Sequence, residues 1–232
     1  MRLEVTSDIL EKFPSLNLGV VIAKSINNQA PNEKAKALLL DQATKTRDEL
    51  QGITLSEHPR ILAWREAYRQ FGAKPKKNKP SVETLAKMAL SGLLRSINPL
   101  VDIYNSISLK HLVPMGGDDL DKIEGDITLC FAKGEEQFIP LGSSEPESPK
   151  AGEVVYRDSN EILCRRWNWR ECDKSKMTEE TTTASFVIEA LDPVTVEEVK
   201  AASEELASLL QEHCGATTEC YFLSSSQPTC HW

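Results

Sequence analysis

The run Asp126-Ile-Thr-Leu-Cys-Phe-Ala132 begins a part of the chain in which short β-rich segments replace helical periodicity. Four further segments of this kind follow, at residues 137–141, 153–156, 162–169 and 185–191. Turn-forming stretches separate them, as expected for short strands. Because helices precede these strands without strict βαβ alternation, the pattern predicts an α+β fold.

Upstream of Asp126 the apolar residues predict one buried strand and three helices. Residues 18–23 form a continuous apolar run that favours a buried strand, and helical spacing predicts helices over residues 32–50 and 59–71. We expect Ser81 to cap the third helix. The residues expected on the inward face of that helix are Leu85, Met88, Ala89 and Leu93.

The carboxyl-terminal part predicts one long helix. Thr195, followed three residues later by Glu198, is the signature of a capping box, and Gly215 marks the end of the helix. Beyond it, residues 224–232 are expected to form a loose tail.

The composition predicts a globular chain with a substantial core. Of the 232 residues, 40% are hydrophobic and 27% charged, and the net charge is −8. This acidic balance excludes a protein that coats DNA without sequence preference, because such binding needs a surplus of positive charge. The longest apolar run is far shorter than the ~20 residues of a membrane-spanning helix. Since acids near the amino terminus also differ from a signal peptide, we expect a cytoplasmic protein without a membrane partner.

The six cysteines include no C-x-x-C pair. The chain is longer than a typical disulfide scaffold, so reduced thiols are expected. His213, Cys214, Cys220, Cys230 and His231 fall close together, which leaves a zinc site as an alternative. Because their spacing matches no standard zinc motif, we predict no metal and no other cofactor.

The first candidate for chemistry is a basic loop between the second and third predicted helices. Residues 67–81 carry Arg69 and four lysines and no acid. The lysines are Lys74, Lys76, Lys77 and Lys79. Positive charges at this density can neutralise the phosphates of a nucleic acid. The alternative is a solvated charge run without a partner.

The second candidate is the segment Leu163-Cys-Arg-Arg-Trp-Asn-Trp-Arg170, because in an extended chain alternate residues share a face. The two predicted faces are Arg165, Trp167 and Trp169 on one side and Arg166, Asn168 and Arg170 on the other. Unpaired bases stack on aromatic rings, and guanidinium groups bind phosphates. The alternative is that the tryptophans lie in the core while the arginines pair with acids such as Glu171 or Asp173.

The third candidate is a set of polar residues inside an apolar segment. Asn98, Asp102 and Asn105 have the spacing of residues along one side of a helix. An amide at such a position serves either a buried polar network or a ligand. Spacing alone does not separate the two.

The run Ile97-Asn-Pro-Leu-Val-Asp-Ile-Tyr-Asn105 resembles the N-x-x-V-D-x-x-N core of the B3/B4 domain of the phenylalanyl-tRNA synthetase beta subunit. Further elements follow in the order of that domain. They are Pro114 and residues 118–120, 152–158, 164–170, 178–181 and 186–189. Upstream, His58-Pro-Arg, Trp64-Arg-x-x-Tyr68 and Phe71-Gly-x-Lys-Pro75 are similar to freestanding B3/4-domain proteins.

The resemblance implies a mixed sheet curled toward a barrel and flanked by helices. It also implies one B3/4-type domain over residues 1–232. Its expected parts are an amino-terminal strand and helix (1–56), the core motifs (57–191), a closing helix and strand (192–223) and the tail (224–232).

The family resemblance implies an editing site, which hydrolyses the ester between a wrong amino acid and its tRNA. Freestanding members are expected to act in trans. One departure stands out: where the synthetase domain has a histidine, this chain has the stretch Val113-Pro-Met-Gly-Gly117. His111 lies nearby but out of register.

An aminoacyl ester is already activated, so a site needs only to hold it, orient a water molecule and stabilise the oxyanion. The expected catalytic groups are Asn98 and the backbone N–H groups of a Gly116-Gly117 turn. The expected substrate-binding residues are Glu171, which would pair with the ammonium group, and Asn168, Asp102 and Asn105. The expected tRNA-binding residues are Arg165, Arg166, Arg170, Trp167, Trp169, Lys74, Lys76, Lys77 and Lys79.

The sequence therefore predicts a trans-acting deacylase of mischarged tRNA. A non-catalytic RNA-binding module and an amino-acid-binding protein on the same fold are the alternatives.

Overall fold

The computed structural model describes residues 1–29 and 31–232, which form six α-helices and ten strands. The helices are α1 (Ser7–Lys12), α2 (Glu33–Glu49), α3 (Pro59–Gln70), α4 (Ser81–Ser91), α5 (Pro99–His111) and α6 (Val196–Cys214). The strands are β1 (Arg2–Val5), β2 (Asn17–Lys24), β3 (Met115–Asp119), β4 (Ile127–Phe131), β5 (Val154–Arg157), β6 (Ile162–Arg165), β7 (Arg170–Glu171), β8 (Ala184–Ala190), β9 (Thr217–Leu223) and β10 (Thr229–His231).

The strands form two sheets, and the predicted α+β class is confirmed. The larger sheet has the order β10-β1-β4-β5-β6-β7 and is mixed, because β1 and β4 are parallel while its other pairs are antiparallel. The smaller sheet has the order β3-β8-β2-β9 and is antiparallel throughout. Over the described residues, the two remain separate sheets and are not closed into a barrel.

Strand β2 joins the two main hydrophobic cores. Its even-numbered residues, such as Val20 and Ile22, pack with β1, α3 and the larger sheet, whereas Val21 and Ala23 pack with α5 and α6. A strand covered on both faces reads as a continuous apolar run rather than an alternating one. The predicted strand at residues 18–23 is therefore confirmed, with both of its faces in a core.

The helix predictions hold at the cap of α6 and fail at the start of α4. Thr195 and Glu198 form the predicted capping box, and Gly215 ends α6 in the left-handed conformation. Ser81, in contrast, is the first residue inside α4, and its hydroxyl has no hydrogen-bond partner among the described residues. Pro80 takes the cap position without a side-chain bond.

The inward face of α4 also differs from the prediction. Ala89 is buried and Leu85 partly so, but Met88 is 36% exposed and Leu93 63% exposed. The inward residues are Val82, Glu83, Ala86 and Ala89. The small side chains among them allow close packing. The buried carboxylate of Glu83 forms a 2.7 Å ion pair with Arg65 of α3, and this contact fixes the rotation of α4 about its axis.

Three expected features of the β region are corrected. The predicted strand at 162–169 ends at Arg165, because residues 166–169 form the turn of a hairpin between β6 and β7. Residues 137–141 form no strand and contribute only isolated bridges at Phe138 and Pro140. The expected loose tail contains β10, which pairs antiparallel with β1.

Candidate functional site

Strand β3 is the floor of a cleft between the smaller sheet and the β6–β7 hairpin. The innermost part of this cleft, here called the inner cavity, has a volume of about 400 Å³ including its mouth, but its narrow interior holds about one water molecule. The residues lining the inner cavity are Gly116, Gly117, Asp118, Ile127, Tyr156, Cys164, Trp167, Asn168, Glu171, Val187 and Glu189.

The two glycines lie in an edge strand, so the prediction of a Gly116-Gly117 turn is wrong. Gly116 pairs with Val187 and Gly117 with Phe186 of β8. In an antiparallel ladder, successive residues turn their N–H groups to opposite sides. The N–H of Asp119 donates to Ser175 on the side away from β8, so the N–H of Gly117 faces that same side. It is therefore available to an oxygen atom of a ligand.

Glu171 projects from β7 over Gly116, and the absence of a side chain on that glycine leaves space for its carboxylate. Over the residues that the structure describes, no side chain forms a salt bridge with Glu171. Burial is the main cause that raises the pKa of this carboxyl well above its usual value, and the neighbouring charge of Asp118 adds to it. A cation placed here would be stabilised by a carboxylate that has no protein counter-ion.

Two more carboxyl groups line the same cavity. Burial raises the pKa of Asp118 to about 6 although Ser175 donates a hydrogen bond to it. Burial also raises the pKa of Glu189 to about 7, against hydrogen bonds from Tyr156 and Asn168. Within the described chain neither group forms a salt bridge, and the raised pKa values mean that these carboxyl groups tend to hold their protons until a cationic ligand stabilises the charged form.

Asn168 belongs to a buried network that holds the hairpin against the sheet. Its Oδ1 accepts a 2.8 Å hydrogen bond from the Tyr68 hydroxyl, and its Nδ2 donates a 2.6 Å bond to Glu189. Its backbone oxygen accepts from the N–H of Ser81. Asn168 therefore lines the cavity, but both ends of its amide are engaged within the protein, so its predicted contact with a substrate stays a prediction.

Two open grooves meet the inner cavity at Glu171. The first, here called the apolar arm, has a volume of about 660 Å³ including its mouth. Its lining residues are Ile97, Val101, Tyr104, Gly117, Leu141, Glu171, Cys172, Ser175, Lys176 and Met177. The second, here called the polar arm, has a volume of about 770 Å³ including its mouth. Its lining residues are Ser81, Thr84, Leu85, Met88, Tyr104, Asn105, Ser108, Met115, Asn168, Trp169 and Glu171.

Asn98 and Asp102 lie outside this cleft, and their expected roles are corrected. The Asn98 side chain caps α5 by accepting from the N–H of Val101, and it donates to the backbone oxygen of Met177. The Asp102 carboxylate accepts from the hydroxyl of Ser96 and the N–H of Ile97. Both side chains line a separate groove beside the start of α2. Asn105 alone of the three faces the cleft, in the polar arm.

The Arg165 side chain is buried and paired with acids of the protein, so it is not available to bind phosphate. Its side chain is 5% exposed and forms ion pairs with Glu153 at 3.0 Å and with Glu147 at 2.8 Å. Arg166 also pairs with Glu153, and Arg170 lies 3.4 Å from Glu147. The sequence alternative of acid-paired arginines is therefore correct, although the acids are Glu147 and Glu153 rather than Glu171 or Asp173.

The two tryptophans have different environments. Trp167 is fully buried, with ring centroids 4.7 Å from Phe13 and 4.9 Å from Trp64, so the expectation that it stacks on a base is corrected. Trp169 is half-buried and lines the polar arm. The guanidinium of Arg166 lies 4.2 Å from the Trp169 ring centroid. Trp167 therefore lines only the narrow inner cavity, whereas Trp169 presents its indole to the open polar arm.

The left-handed conformation of Arg166 and Trp167 explains this separation. Their φ angles are 49° and 68°, which is rare for bulky residues and occurs in tight hairpin turns. The turn reverses the chain, so side chains no longer alternate between two faces of a strand. Burial of the Trp167 ring holds this turn in place.

The four lysines of the basic loop lie between α3 and α4, half-buried or exposed. Within the part of the chain that the structure describes, none of them forms a salt bridge, whereas Arg69 pairs with Glu66. The loop ends at Pro80, one residue before the N–H that donates to Asn168. The basic loop is therefore attached to the hairpin beside the polar arm.

Sequence reasoning assigned no site role to several residues of the cleft, among them Tyr104, Asp118 and Glu189. Glu189 had a detectable signal, because a charged residue inside the apolar run at 185–191 is rarely buried without a purpose. Tyr104 had none, since an aromatic residue in an apolar helix is typical of a core.

The sequence profile of the B3/4 domain matches residues 63–215, about two thirds of the chain. The chain belongs to the B3/4 domain family. This assignment covers the chain from within α3 to the end of α6, including every residue that lines the cleft.

The B3/4 domain is similar to a segment of several curated synthetase subunits. The phenylalanine–tRNA ligase beta subunit of Shewanella oneidensis is 37% identical over 76 residues, which are 33% of this chain and 9% of that subunit. The beta subunit of Vibrio parahaemolyticus is 41% identical over 70 residues, which are 30% of this chain and 9% of the subunit. The matched segment is thus a small part of these relatives, and it relates this B3/4 domain to a tRNA synthetase.

A solved structure is also similar to this B3/4 domain. It is an N-terminal fragment of the phenylalanyl-tRNA synthetase beta subunit from Pyrococcus horikoshii. The alignment has a TM-score of 0.49 and 13% identity, and it covers 93% of this chain and 49% of that chain.

Two expectations about this B3/4 domain concern groups outside the cleft. In the described part of the chain, no group of three or more His, Cys, Asp or Glu side chains is arranged to hold a metal ion. The five cysteine and histidine residues near the carboxyl terminus thus form no such group. Over the same residues, no helix has the length and apolar character needed to cross a membrane.

Proposed function

We propose that this B3/4 domain binds the aminoacyl end of a tRNA and hydrolyses its ester in trans. The observation that carries the proposal is the half-buried carboxylate of Glu171, which stands above the glycine floor of the cleft and forms no salt bridge among the described residues. An aminoacyl ester carries an ammonium group beside its carbonyl, and few other features of a charged tRNA would favour a cavity lined with carboxyl groups. Kinship with a tRNA synthetase subunit supports tRNA as the partner.

The residues of the cleft suit the steps of ester hydrolysis. Glu171 holds the ammonium group, and the free N–H of Gly117 donates to the carbonyl oxygen as it gains negative charge. Asp118, whose pKa is about 6, accepts a proton from a water molecule that attacks the carbonyl carbon. When the tetrahedral intermediate collapses, the bond between the carbonyl carbon and the ribose oxygen breaks and Asp118 returns the proton to that oxygen, which releases the ribose hydroxyl and the free amino acid.

The basic loop and Trp169 supply the contacts to the tRNA itself. Four lysines without protein counter-ions lie beside the polar arm, where they reach phosphates close to the 3′ end. The half-buried indole of Trp169 offers a stacking surface for a terminal base, worth about 1–3 kcal/mol. The guanidinium groups of Arg166 and Arg170 lie 4.2 Å and 5.8 Å from the centroid of this ring and contribute positive charge beside it.

A second candidate is binding of the same ligand without hydrolysis. None of the four histidines lines the inner cavity or either arm, so no imidazole is present to move protons. Such a protein would protect or deliver an aminoacyl-tRNA. Its cleft would be the same, and only the fate of the ester would differ.

The test is a deacylation assay with a panel of correctly charged and mischarged tRNAs. We expect at least one substrate to lose its amino acid, and Glu171→Gln to lower kcat/KM by 10-fold or more. The control is Glu179→Gln, an exposed carboxylate outside the cleft. Salt-sensitive tRNA binding without deacylation would reject hydrolysis and favour the second candidate. Absence of tRNA binding at low salt would reject both.

A further inference from the structure

The cleft has three branches, and Glu171 is the residue at which they meet. Its side chain lines the inner cavity, the apolar arm and the polar arm. The inner cavity holds about one water molecule and is surrounded by carboxyl groups. The two arms are wider, open to solvent and different from each other in chemistry.

Tyr104 of α5 is the wall between the two arms, because it lines both of them and not the inner cavity. Its ring centroid lies 6.1 Å from that of Phe186, which anchors it to β8. Among the described residues its hydroxyl has no hydrogen-bond partner, and it is not one of the sealed orphan groups. Tyr104 and Glu171 both line the two arms, so they share the junction, and burial followed by the charge of Glu171 raises the pKa of Tyr104.

Three branches match the three substituents on the α-carbon of an amino acid. An ammonium group is about the size of a water molecule and is cationic, so it suits the inner cavity. A carboxyl group esterified to a ribose needs space, which the polar arm supplies for the ribose beside the amide of Asn105. The ester carbonyl itself then lies at the junction of the branches, where Gly117 and Asp118 line the adjoining inner cavity. The side chain is then left for the apolar arm.

The apolar arm is built for a large side chain without polar groups. Its outer walls are Ile97, Val101, Leu141 and Met177, of which Ile97 and Leu141 are 67% and 50% exposed. Its polar side chains are already used, since Ser175 bonds to Asp118 and Lys176 pairs with Asp173. A hydroxyl or charged group buried there would lose water without gaining a partner.

We infer that the cleft selects aminoacyl groups with large apolar side chains and that Tyr104 is the specificity-determining residue that separates the side chain from the ester. This inference rests on the proposed function, because it assumes an α-ammonium group at Glu171. It adds to that function the class of amino acid that fits and the residue that keeps the amino-acid side chain apart from the ester. The Tyr104 hydroxyl contacts the ester at the junction of the arms.

The test uses amino-acid amides, which keep the ammonium group, block the carboxyl group and need no hydrolysis. We expect L-leucinamide and L-phenylalaninamide to bind the full chain at least 10-fold more tightly than L-serinamide and L-aspartic acid α-amide, measured by calorimetry. In Tyr104→Ala the arms merge, and we expect the ratio to fall below 3-fold. Tyr104→Phe keeps the wall and is expected to keep the ratio. Tyr221→Phe, which removes a hydroxyl outside the cleft, is the matched control.

The outcomes separate this inference from the proposed function. Equal affinity of the wild-type chain for leucinamide and serinamide would overturn the inference even if tRNA deacylation is observed. Amide selectivity that Tyr104→Ala leaves unchanged would overturn the role of Tyr104. If Tyr104→Ala fails to fold, loss of the preference in Tyr104→Phe would overturn that role as well. Selective amide binding without any tRNA effect would support the inference and reject the proposed function.

Discussion

A Cβ atom on Gly116 would stand 2.8 Å from the Oε1 atom of Glu171, closer than real Cβ atoms approach other atoms. The neighbouring Gly117 is constrained in another way, because a Cβ there would stand 2.4 Å from the backbone oxygen of Ser185. The first contact is with the end of a side chain that can rotate away, and the second is with a strand. The absence of a side chain at Gly116 therefore positions the Glu171 carboxylate, whereas its absence at Gly117 is needed for strand packing.

Gly116→Ala is expected to displace the Glu171 carboxylate while leaving the fold intact. We expect a 10-fold or greater loss of amino-acid amide affinity with little change in Tm, measured by calorimetry and thermal melting. Gly117→Ala is the contrasting variant, because overpacking against backbone costs about 1–3 kcal/mol and should lower Tm. Full ligand affinity in a stable Gly116→Ala variant would show that Glu171 does not contact the ligand.

The buried carboxyl groups predict that the protein loses stability as the pH rises. The folded chain keeps the proton of Glu189 up to a pKa of about 7, whereas the unfolded chain releases it near the usual value. The folded state thus binds more protons in between, so the free energy of unfolding is full below that range and falls as the pH rises toward 7. Asp118, with a pKa of about 6, acts in the same direction.

This pH dependence can be measured by urea unfolding between pH 5.5 and 8. We expect the free energy of unfolding to decrease over this range, with Glu189 contributing up to about 3 kcal/mol over its full titration. Glu189→Gln should flatten the dependence, and the exposed Glu180→Gln should not. Identical slopes for wild type and Glu189→Gln would contradict the assignment.

The two tryptophans of the hairpin are expected to respond in opposite ways. Trp167→Ala removes a fully buried ring and should cost about 3–5 kcal/mol of stability, seen as a large fall in Tm. Trp169→Ala should change Tm little and weaken tRNA binding by about 5–100-fold, because it removes one stacking contact. Normal tRNA affinity of Trp169→Ala would remove this indole from the interface.

The basic loop is expected to account for most of the salt dependence of tRNA binding. Each phosphate contact to a single strand contributes about 0.7 to the slope of log K against log salt concentration. Replacing Lys74, Lys76, Lys77 and Lys79 with alanine should therefore reduce that slope by about 3. The control replaces the exposed residues Lys34, Lys45, Lys133 and Lys150, which removes the same charge elsewhere. An equal effect of both variants would indicate non-specific attraction only.

Arg165 is expected to stabilise the hairpin rather than bind RNA. Arg165→Ala leaves the buried carboxylate of Glu153 with only the 3.3 Å pair to Arg166 and should cost up to about 3–5 kcal/mol. Arg170→Ala, at an exposed pair, should cost less than about 1 kcal/mol. Chemical denaturation of both variants distinguishes the two, and equal losses would refute the distinction.

Much of the fold could be predicted because periodicity and end signals act locally. The β2 run, the α6 capping box and the helical spacing of α3 each need only neighbouring residues. The hairpin turn could not be predicted, since Arg166 and Trp167 carry no signal for the left-handed conformation that burial of the Trp167 ring maintains. The β10 strand was missed because its pairing partner lies at the other end of the sequence.

Site residues could be predicted where the residue type itself is unusual at its position. They could not be predicted where the role depends on the three-dimensional position of the side chain. The glycine pair and Glu171 were predicted as site residues and meet in one cleft. The side-chain amide of Asn98, in contrast, caps α5 and bonds to the backbone of Met177. Polar spacing along a helix cannot reveal which residue lies at the helix start. The role inferred for Tyr104 depends on the two grooves that its ring lines, and these are visible only in the structure.

The paired state of the hairpin arginines leaves the lysine loop as a local positive region on an acidic protein. A polyanion that approaches from most directions is repelled by the acidic surface, and it is attracted only where it approaches the basic loop. The encounter is thereby oriented before contact, with the strand led along the loop and its terminus pointing at the cleft. Such steering raises the association rate at low salt, which would help the proposed capture of a tRNA end.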